Sequence, residues 1–393
     1  VNALKGNKLL ISRKGLKQYS GGNLRKFLVT VQYIVTICMI ISTIIIYQQM
    51  MFLKSHDLGY NDENVMVINM SQDSSFRGKM HNFIEDLSKS EFVKMSCMTG
   101  NVPGYTSGKR MFFLDDTSNV QTINYYMVGH NFFKLLEIPL LEGRFFNLEK
   151  DSDTLIKYII NKAAADTINK KEVLGSLLRS TSGNNGEVIG IVKNFNFSSL
   201  YTQVEPLVIV LTSSRARYAI VKIKDNYHEQ AMSHIINVWN KYNKDEFLHY
   251  TYLDTKLSSL YNGEHKMLSL LTYFSIFVVF ISSLGLYGLS SFLIEQRTKE
   301  LGIRKVLGGS ANSILLLLVK DYMKLVLIAG LIASPIVYIL LGKWLDMFAI
   351  SIDISPWYFI IGILLSLIIA FSTVFIRLYK VIRESPSASL GSD

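Results

Sequence analysis

Apolar and polar positions follow two regimes along this chain. Four stretches hold no Asp, Glu, Lys or Arg at all: residues 27–53, 267–294, 325–342 and 354–376. A membrane-spanning helix needs about 20 apolar residues. Three of the stretches qualify as they stand, and the third in chain order does once Tyr322 to Lys324 extend it, with Lys324 snorkelling to the interface. Buried helices of a soluble core do not account for runs this long. The pattern predicts four transmembrane helices. The second would be about 42 Å long against a hydrocarbon core of about 30 Å, and Leu257, Leu260 and Tyr261 place its start further out still. The first is expected to continue through Tyr47, Met50 and Met51 to Lys54. Two helices that overshoot on the same side are expected to pack together as a stalk.

Residues 54–266 read differently. Alternating or β-branched runs at 65–69, 111–114, 123–128, 158–161, 188–192, 207–211, 218–223 and 250–253 predict strands. Helical spacing at 80–87, 132–136 and 228–239 predicts helices. Gly143, Gly175, Gly183, Gly186, Pro103 and Pro206 punctuate turns. The fold class expected is a multi-pass α-helical membrane protein with four transmembrane helices and a large α+β domain inserted between the first and second. Within that domain, one subdomain is expected to be inserted into another between Asn101 and Pro206.

Charge sets the orientation. The chain has 41 Lys and Arg against 31 Asp and Glu, a net +10, yet residues 54–266 hold 24 of each sign. The excess lies in three short segments: 1–26 with seven bases and no acid, the loop 295–321, and the tail 377–393. Short basic loops stay cytoplasmic, so 54–266 is expected outside the membrane. This distribution is a topology signal and argues against nucleic-acid binding. Residues 1–26 read as a basic amphipathic segment ended by Gly21-Gly22, or else as a disordered basic arm. The domain reading is 1–26, then span 27–53 with its stalk, outer domain 54–266, span 267–294, loop 295–321, span 322–342, outer turn 343–353, span 354–376 and tail 377–393. Trp344, Phe348, Trp357 and Tyr358 fit an aromatic belt around the outer turn. Ser282, Ser283, Gly285 and Gly288 give the second span a small-residue face, and Pro335 is expected to kink the third.

Candidate chemistry is sparse. His228 and His234 are six apart, so they do not share a helix face as a zinc pair would. Gly104 to Lys109 is one residue short of a phosphate-binding loop. Cys38 and Cys97 fall on different sides of the predicted membrane boundary. The sequence presents no catalytic, cofactor-binding or metal-ligating constellation, so an enzyme is not expected.

The stretch that carries specific information is EQRTKELGIRKVLGGS, residues 295–310. Glu295 with Lys299, and Glu300 with Arg304, stand four apart in the favourable order for a helix. Arg297, Leu301 and Arg304 share one helix face; Gly308-Gly309 stops the helix, and Ser310 or Ser313 can cap the next. This stretch closely resembles the signature of the MacB/FtsX-like ABC transporter permeases. LLEGRFF at 140–146, YIINKAAA at 158–165, VIGIVKNFNFSSL at 188–200 and FLHYTYLD at 247–254 resemble that family's periplasmic core domain. Lys162, Asn194 and Asn196 depart from its usual residues there. VNALKGN at the start and SPSASLG near the end both resemble the short tail that follows a four-helix unit in this family, whose large members carry two such units, and this implies the second, C-terminal half of a tandem eight-helix permease.

The resemblance implies residence in the bacterial cytoplasmic (inner) membrane with a periplasmic domain. It implies ATPase-coupling residues at Arg297, Lys299, Glu300, Leu301, Gly302, Arg304, Lys305 and Gly308. It implies as partners a cytoplasmic ABC ATPase dimer, which binds the ATP, a second permease half or homologous subunit, membrane lipid, and a periplasmic adaptor or envelope enzyme. The function implied is mechanotransmission: hydrolysis inside reshapes the outer domain to export or relocate a lipid, peptide, antibiotic or lipoprotein. The alternative is an FtsX-like regulator that passes ATPase motion to an envelope enzyme or sensor.

Overall fold

The computed structural model describes all residues except 1–2, 71–73, 105–107, 115–119, 148–150, 152–155, 169–172, 182, 184, 200, 212–215, 307–310 and 384–393. It leaves undescribed the side chains of 3–23, 74–75, 114, 293–306, 311–318 and 378–383. The elements in order are α1 (Ala3–Ser55), β1 (Val65–Asn69), α2 (Ser74–Arg77), α3 (Met80–Ser88), β2 (Val93–Thr99), β3 (Gly108–Leu114), β4 (Gln121–Val128), α4 (Phe132–Leu135), β5 (Leu140–Gly143), β6 (Ile156–Asn161) and α5 (Lys162–Ile168). They continue with β7 (Leu177–Ser180), β8 (Gly186–Val192), β9 (Leu207–Leu211), β10 (Tyr218–Ile223), α6 (His228–Tyr242), β11 (Tyr250–Tyr252), α7 (Leu253–Ser259), α8 (Asn262–Val306), α9 (Ala311–Leu345) and α10 (Pro356–Arg383). They form two compact units.

The first unit is helical. Four apolar spans lie at Leu24–Ser55, Asn262–Phe292, Val319–Leu345 and Pro356–Arg377, each long and apolar enough to cross a membrane. Their shared core includes Tyr33, Ile37, Ile41, Leu286, Val326 and Ala370. Close approach is achieved with small residues. A Cβ at Gly330 on α9 would stand 2.9 Å from Ile363 of α10, and one at Gly362 of α10 would collide with Ile41 of α1. The outward faces remain apolar, with Tyr273, Phe277 and Phe280 on α8 exposed, as lipid-facing helices require. One expectation is corrected here. The backbone of α1 runs unbroken through Gly21 and Gly22, because an interior glycine costs a helix only about 1 kcal/mol. Helix α9 in turn passes through Pro335, so that proline does not end it.

The second unit, Leu53–Gly263 with Phe348–Ile350, is an α+β domain on one continuous sheet. Strand β1 pairs with β10 and β11, and β10 pairs in turn with β2, all antiparallel. Helices α3 and α6 cover one face of this host half over Phe76, Phe83, Ile235 and Trp239. The remaining strands, apart from β5, close a ring β4-β3-β7-β8-β6-β9 and back to β4. Alternation along the ring strands turns Phe112, Tyr125, Tyr158, Leu178, Val188 and Val208 into one cluster. Every ring strand contributes to it, which places it inside the ring. The opposite faces of β4, β6 and β9, with Tyr126, Ile159 and Ile209, join Val65, Val67 and Ile220 of the host half in a common core. One register pair, Thr99 with Val128, links the two halves of the sheet. The ring, built from residues 108–211, is thus inserted between β2 and β10 of the host. At the end of β5, Gly143 has φ +79° and a Cβ there would run into the Ile189 carbonyl, so any side chain would be strained.

The aromatic belt is corrected in part. Trp357 is exposed, but Trp344 and Tyr358 pack against the helical core. Phe348 is buried and stacks on Tyr201 of the outer domain, ring centroids 4.7 Å apart. Proximity to the spans in sequence does not decide whether an aromatic ring meets lipid or protein.

Candidate functional site

The expected coupling residues lie at the C-terminal end of α8. Arg297, Lys299, Glu300, Leu301, Gly302, Arg304 and Lys305 all belong to its backbone, which reaches Val306 in a single run of 45 residues. Their side chains lie outside the described residues, as does the whole of Gly308. No break separates the apolar span from the charged stretch, because Gly302 is lone and helix formers flank it. At 1.5 Å per residue α8 is about 68 Å long, and positions 297, 301 and 304 fall on one side of it.

Just before this stretch, side chains of α1 and α10 hold α8. The guanidinium of Arg25 on α1 sits 3.8 Å from the centre of the Phe292 ring. On α10, Arg377 donates from Nε to Ser291 Oγ at 2.9 Å and lies 5.6 Å from the Tyr287 ring. Two arginines from different helices therefore grip α8 where the apolar span ends. Deeper in the span, hydroxyls join α8 to α1. Thr36 and Ser282 meet at 2.6 Å, and Thr43 and Ser275 at 3.0 Å. Thr36 also reaches Gln32 O and Thr43 reaches Met39 O, both at 2.8 Å. The threonine protons are committed to their own helix, so the serines donate across. Gly285 lets the Gln32 side chain approach α8, since a Cβ there would lie 2.5 Å from Gln32 Oε1.

Of the small residues that the sequence marks on the second span, Ser282 and Gly285 face α1. Ser283 instead bonds Val279 O on its own helix, and a Cβ at Gly288 would meet nothing. Sequence reasoning misses Thr36, Thr43, Ser275, Arg25 and Arg377. A signal for the first three exists: two hydroxyl pairs spaced by seven residues in otherwise apolar runs.

In the outer domain, His234 Nε2 lies 3.1 Å from Asp86 O and His228 Nδ1 lies 3.4 Å from Tyr252 OH. Asn194 Oδ1 accepts the Ala163 N–H, and Asn161 Oδ1 accepts those of Ala164 and Leu207. The asparagines at and near the positions that depart from the family pattern thus cap α5 and tie it to β9. Lys162 pairs with Asp166 one turn on, at 2.8 Å.

No curated protein matches the chain in sequence. Among solved structures, it is similar to the periplasmic region of MacB from Actinobacillus actinomycetemcomitans, at 17% identity and TM-score 0.38, covering 52% of this chain and 95% of that one. It is also similar to the extracellular domain of the noncanonic ABC-type transporter YknZ from Gram-positive bacteria, at 14% identity and TM-score 0.35, covering 48% and 97%. A domain of a permease protein from Porphyromonas gingivalis matches at 14% identity and TM-score 0.34, covering 48% and 89%. Residues 272–386 match the model of the FtsX-like permease C-terminal family. These matched residues carry most of α8 together with α9 and α10, so the likeness to that family lies in the helical unit.

Proposed function

We propose that the chain is the permease half that converts ATP hydrolysis by a separate cytoplasmic ATPase dimer into conformational work in the outer domain. The chemistry belongs to that partner; this chain is an ABC permease subunit and supplies the mechanical link. The observation that carries the reading is the continuity of α8, one helix from Asn262 to Val306 whose last turns bear the charged docking sequence. A helix end that seats in a cleft can be tilted, and a helix without a break carries the tilt along its length. Residence in the inner membrane with a periplasmic domain, and assembly with a second permease half, belong to the same proposal.

Docking on one face makes a residue-level forecast. Leu301→Asp places a charge in the middle of the 297–301–304 face and is expected to abolish ATPase co-purification and stimulated hydrolysis. Lys299→Ala lies on the other side and is expected to change both by less than about two-fold, as rim charges do. Gly302→Pro is expected to act like Leu301→Asp, because an interior proline costs a helix about 3 kcal/mol or more. Protease resistance of the outer domain serves as the folding control. If Leu301→Asp binds and stimulates the ATPase like the parent, the stretch is a positive-inside anchor and the coupling reading fails.

A further inference from the structure

The host half of the outer sheet ends in a cavity of about 510 Å³, within the range of small-ligand sites. The start of β1, the end of β10, the start of β2 and the end of the turn after α4 converge on it. Lys222 lies on the same face of β10 as Ile220, so its stem runs along the core and only 6% of the residue is exposed. Its ammonium has three donors and makes one hydrogen bond among the described residues, to Asn61 Oδ1 at 2.9 Å. The nearby Glu137 is already engaged: Asn61 Nδ2 donates to its Oε2 at 3.0 Å, and Lys94 pairs with its Oε1 at 3.3 Å. Among the described residues, Lys222 is therefore a buried cation with two donors left and no ion-paired carboxylate, a costly arrangement unless an anion completes it. Burial pulls its pKa down, and the nearby carboxylates of Glu137, Glu63 and Asp62 oppose this without forming an ion pair with it among the described residues.

Acids complete the lining. Asp225 holds Asn64 Nδ2 with one oxygen at 2.6 Å, and the exposed Glu63 precedes Asn64 in the wall. Three lysines, 94, 222 and 224, and three acids, 63, 137 and 225, line the cavity, so its formal charges balance, and of these Lys94 and Glu137 are paired with each other. The backbone is also unusual here. Among the described residues three non-glycines have positive φ: Asn64 at +54°, Glu137 at +57° and Asn226 at +67°. Two line the cavity and the third stands between the lining residues Asp225 and Tyr227. Such conformations cost about 1 kcal/mol or more each and concentrate at binding sites. A register shift between Lys222 and Ile223 opposite β2 sits at the same place, and bulges re-aim side chains in this way.

We propose that this cavity binds a small zwitterion, with its oxyanion on Lys222 and its ammonium against Asp225 and Glu63. A free peptide and a phosphoethanolamine headgroup both carry that pair of charges. The site lies within the outer domain and its occupancy does not depend on ATPase coupling. The test is titration calorimetry on the full chain in a maltoside micelle with trialanine, glycerophosphoethanolamine and N-acetyl-trialanine. Tighter binding of trialanine identifies a peptide site, and tighter binding of glycerophosphoethanolamine a headgroup site; either supports the proposal. Lys222→Met is expected to weaken binding about ten-fold or more. Asp225→Asn, an exposed change that leaves the core intact, is expected to weaken it as well. The proposal is overturned if neither zwitterion binds at concentrations on the order of 10 mM, if either variant binds like the parent, or if the acetylated tripeptide binds as well as the free one.

Discussion

One carboxylate joins two helices of the outer domain. Asp86, near the end of α3, accepts from Lys241 Nζ at 2.6 Å, Tyr242 OH at 2.7 Å and Lys89 Nζ at 2.8 Å, and its side chain is 14% exposed. The hydrogen bond from Lys241, with those from Lys89 and Tyr242, holds its pKa below the usual carboxylate range. An unfolded Asp titrates near about 3.9, so the folded carboxylate is stabilising above that pH and the benefit is lost as pH falls through the depressed value. Asp86→Asn is expected to cost about 1 kcal/mol at neutral pH and to flatten the acid limb of the stability curve. Urea unfolding followed by outer-domain tryptophan fluorescence at successive pH values checks this; equal acid slopes in variant and parent would exonerate Asp86. Nothing in the sequence marks Asp86 out, because its partners Lys241 and Tyr242 lie 155 and 156 residues away.

Elements are legible where one period dominates. The four charge-free runs coincide with the four spans, and strands such as β1, β9 and β10 coincide with their alternating or β-branched runs. Strand β2 escapes such a reading because VKMSCMT is largely buried on both faces and shows no alternation. Strands β5 and β7 are four residues each, too short for a period to show. The charged stretch 295–310 stands out by residue order alone, whereas the contacts that hold α8 just before it do not: Arg377 and Ser291 are 86 residues apart. The α1–α8 seam carries a prediction at this scale. A double-mutant cycle of Thr36→Val and Ser282→Ala is expected to show a coupling energy of about 0.6 kcal/mol, the average for hydrogen bonds between membrane helices. Thermal unfolding of the four species in one detergent measures it, and strictly additive effects would mean that the 2.6 Å contact contributes nothing. Gly330→Val, which forces a branched side chain onto Ile363, is expected to cost about 1–3 kcal/mol by overpacking, read in the same unfolding assay.

For the whole molecule, the distribution of bases predicts which side each segment occupies. In a chain lacking Cys38 and Cys97, a single cysteine placed at Lys244, an exposed position in the outer domain, is expected to react with a membrane-impermeant maleimide in intact cells. One placed at Thr298 is expected to react only after the membrane is opened. Equal labelling of both in intact cells would contradict the topology. Four spans and an outer α+β domain are readable because membrane helices and soluble strands use different periods. The closed ring is not, since its closure depends on the parallel pairs β4–β9 and β6–β8, which no local pattern encodes.

The pairing order of the host sheet also constrains how the chain is made. Strand β1 pairs with β10 and β11, both of which follow the entire ring in sequence. During synthesis the ring residues 108–211 emerge with all their partners, while β1 waits for residues 218–252. Non-local pairings of this kind form late. An apolar strand, VMVIN, therefore stands open while about 150 further residues are made at about 5–20 residues per second. A nascent chain halted after β9 is expected to yield a protease-resistant ring and a cleavable β1, and the interval of roughly 8–30 seconds is when a holding chaperone has most to protect.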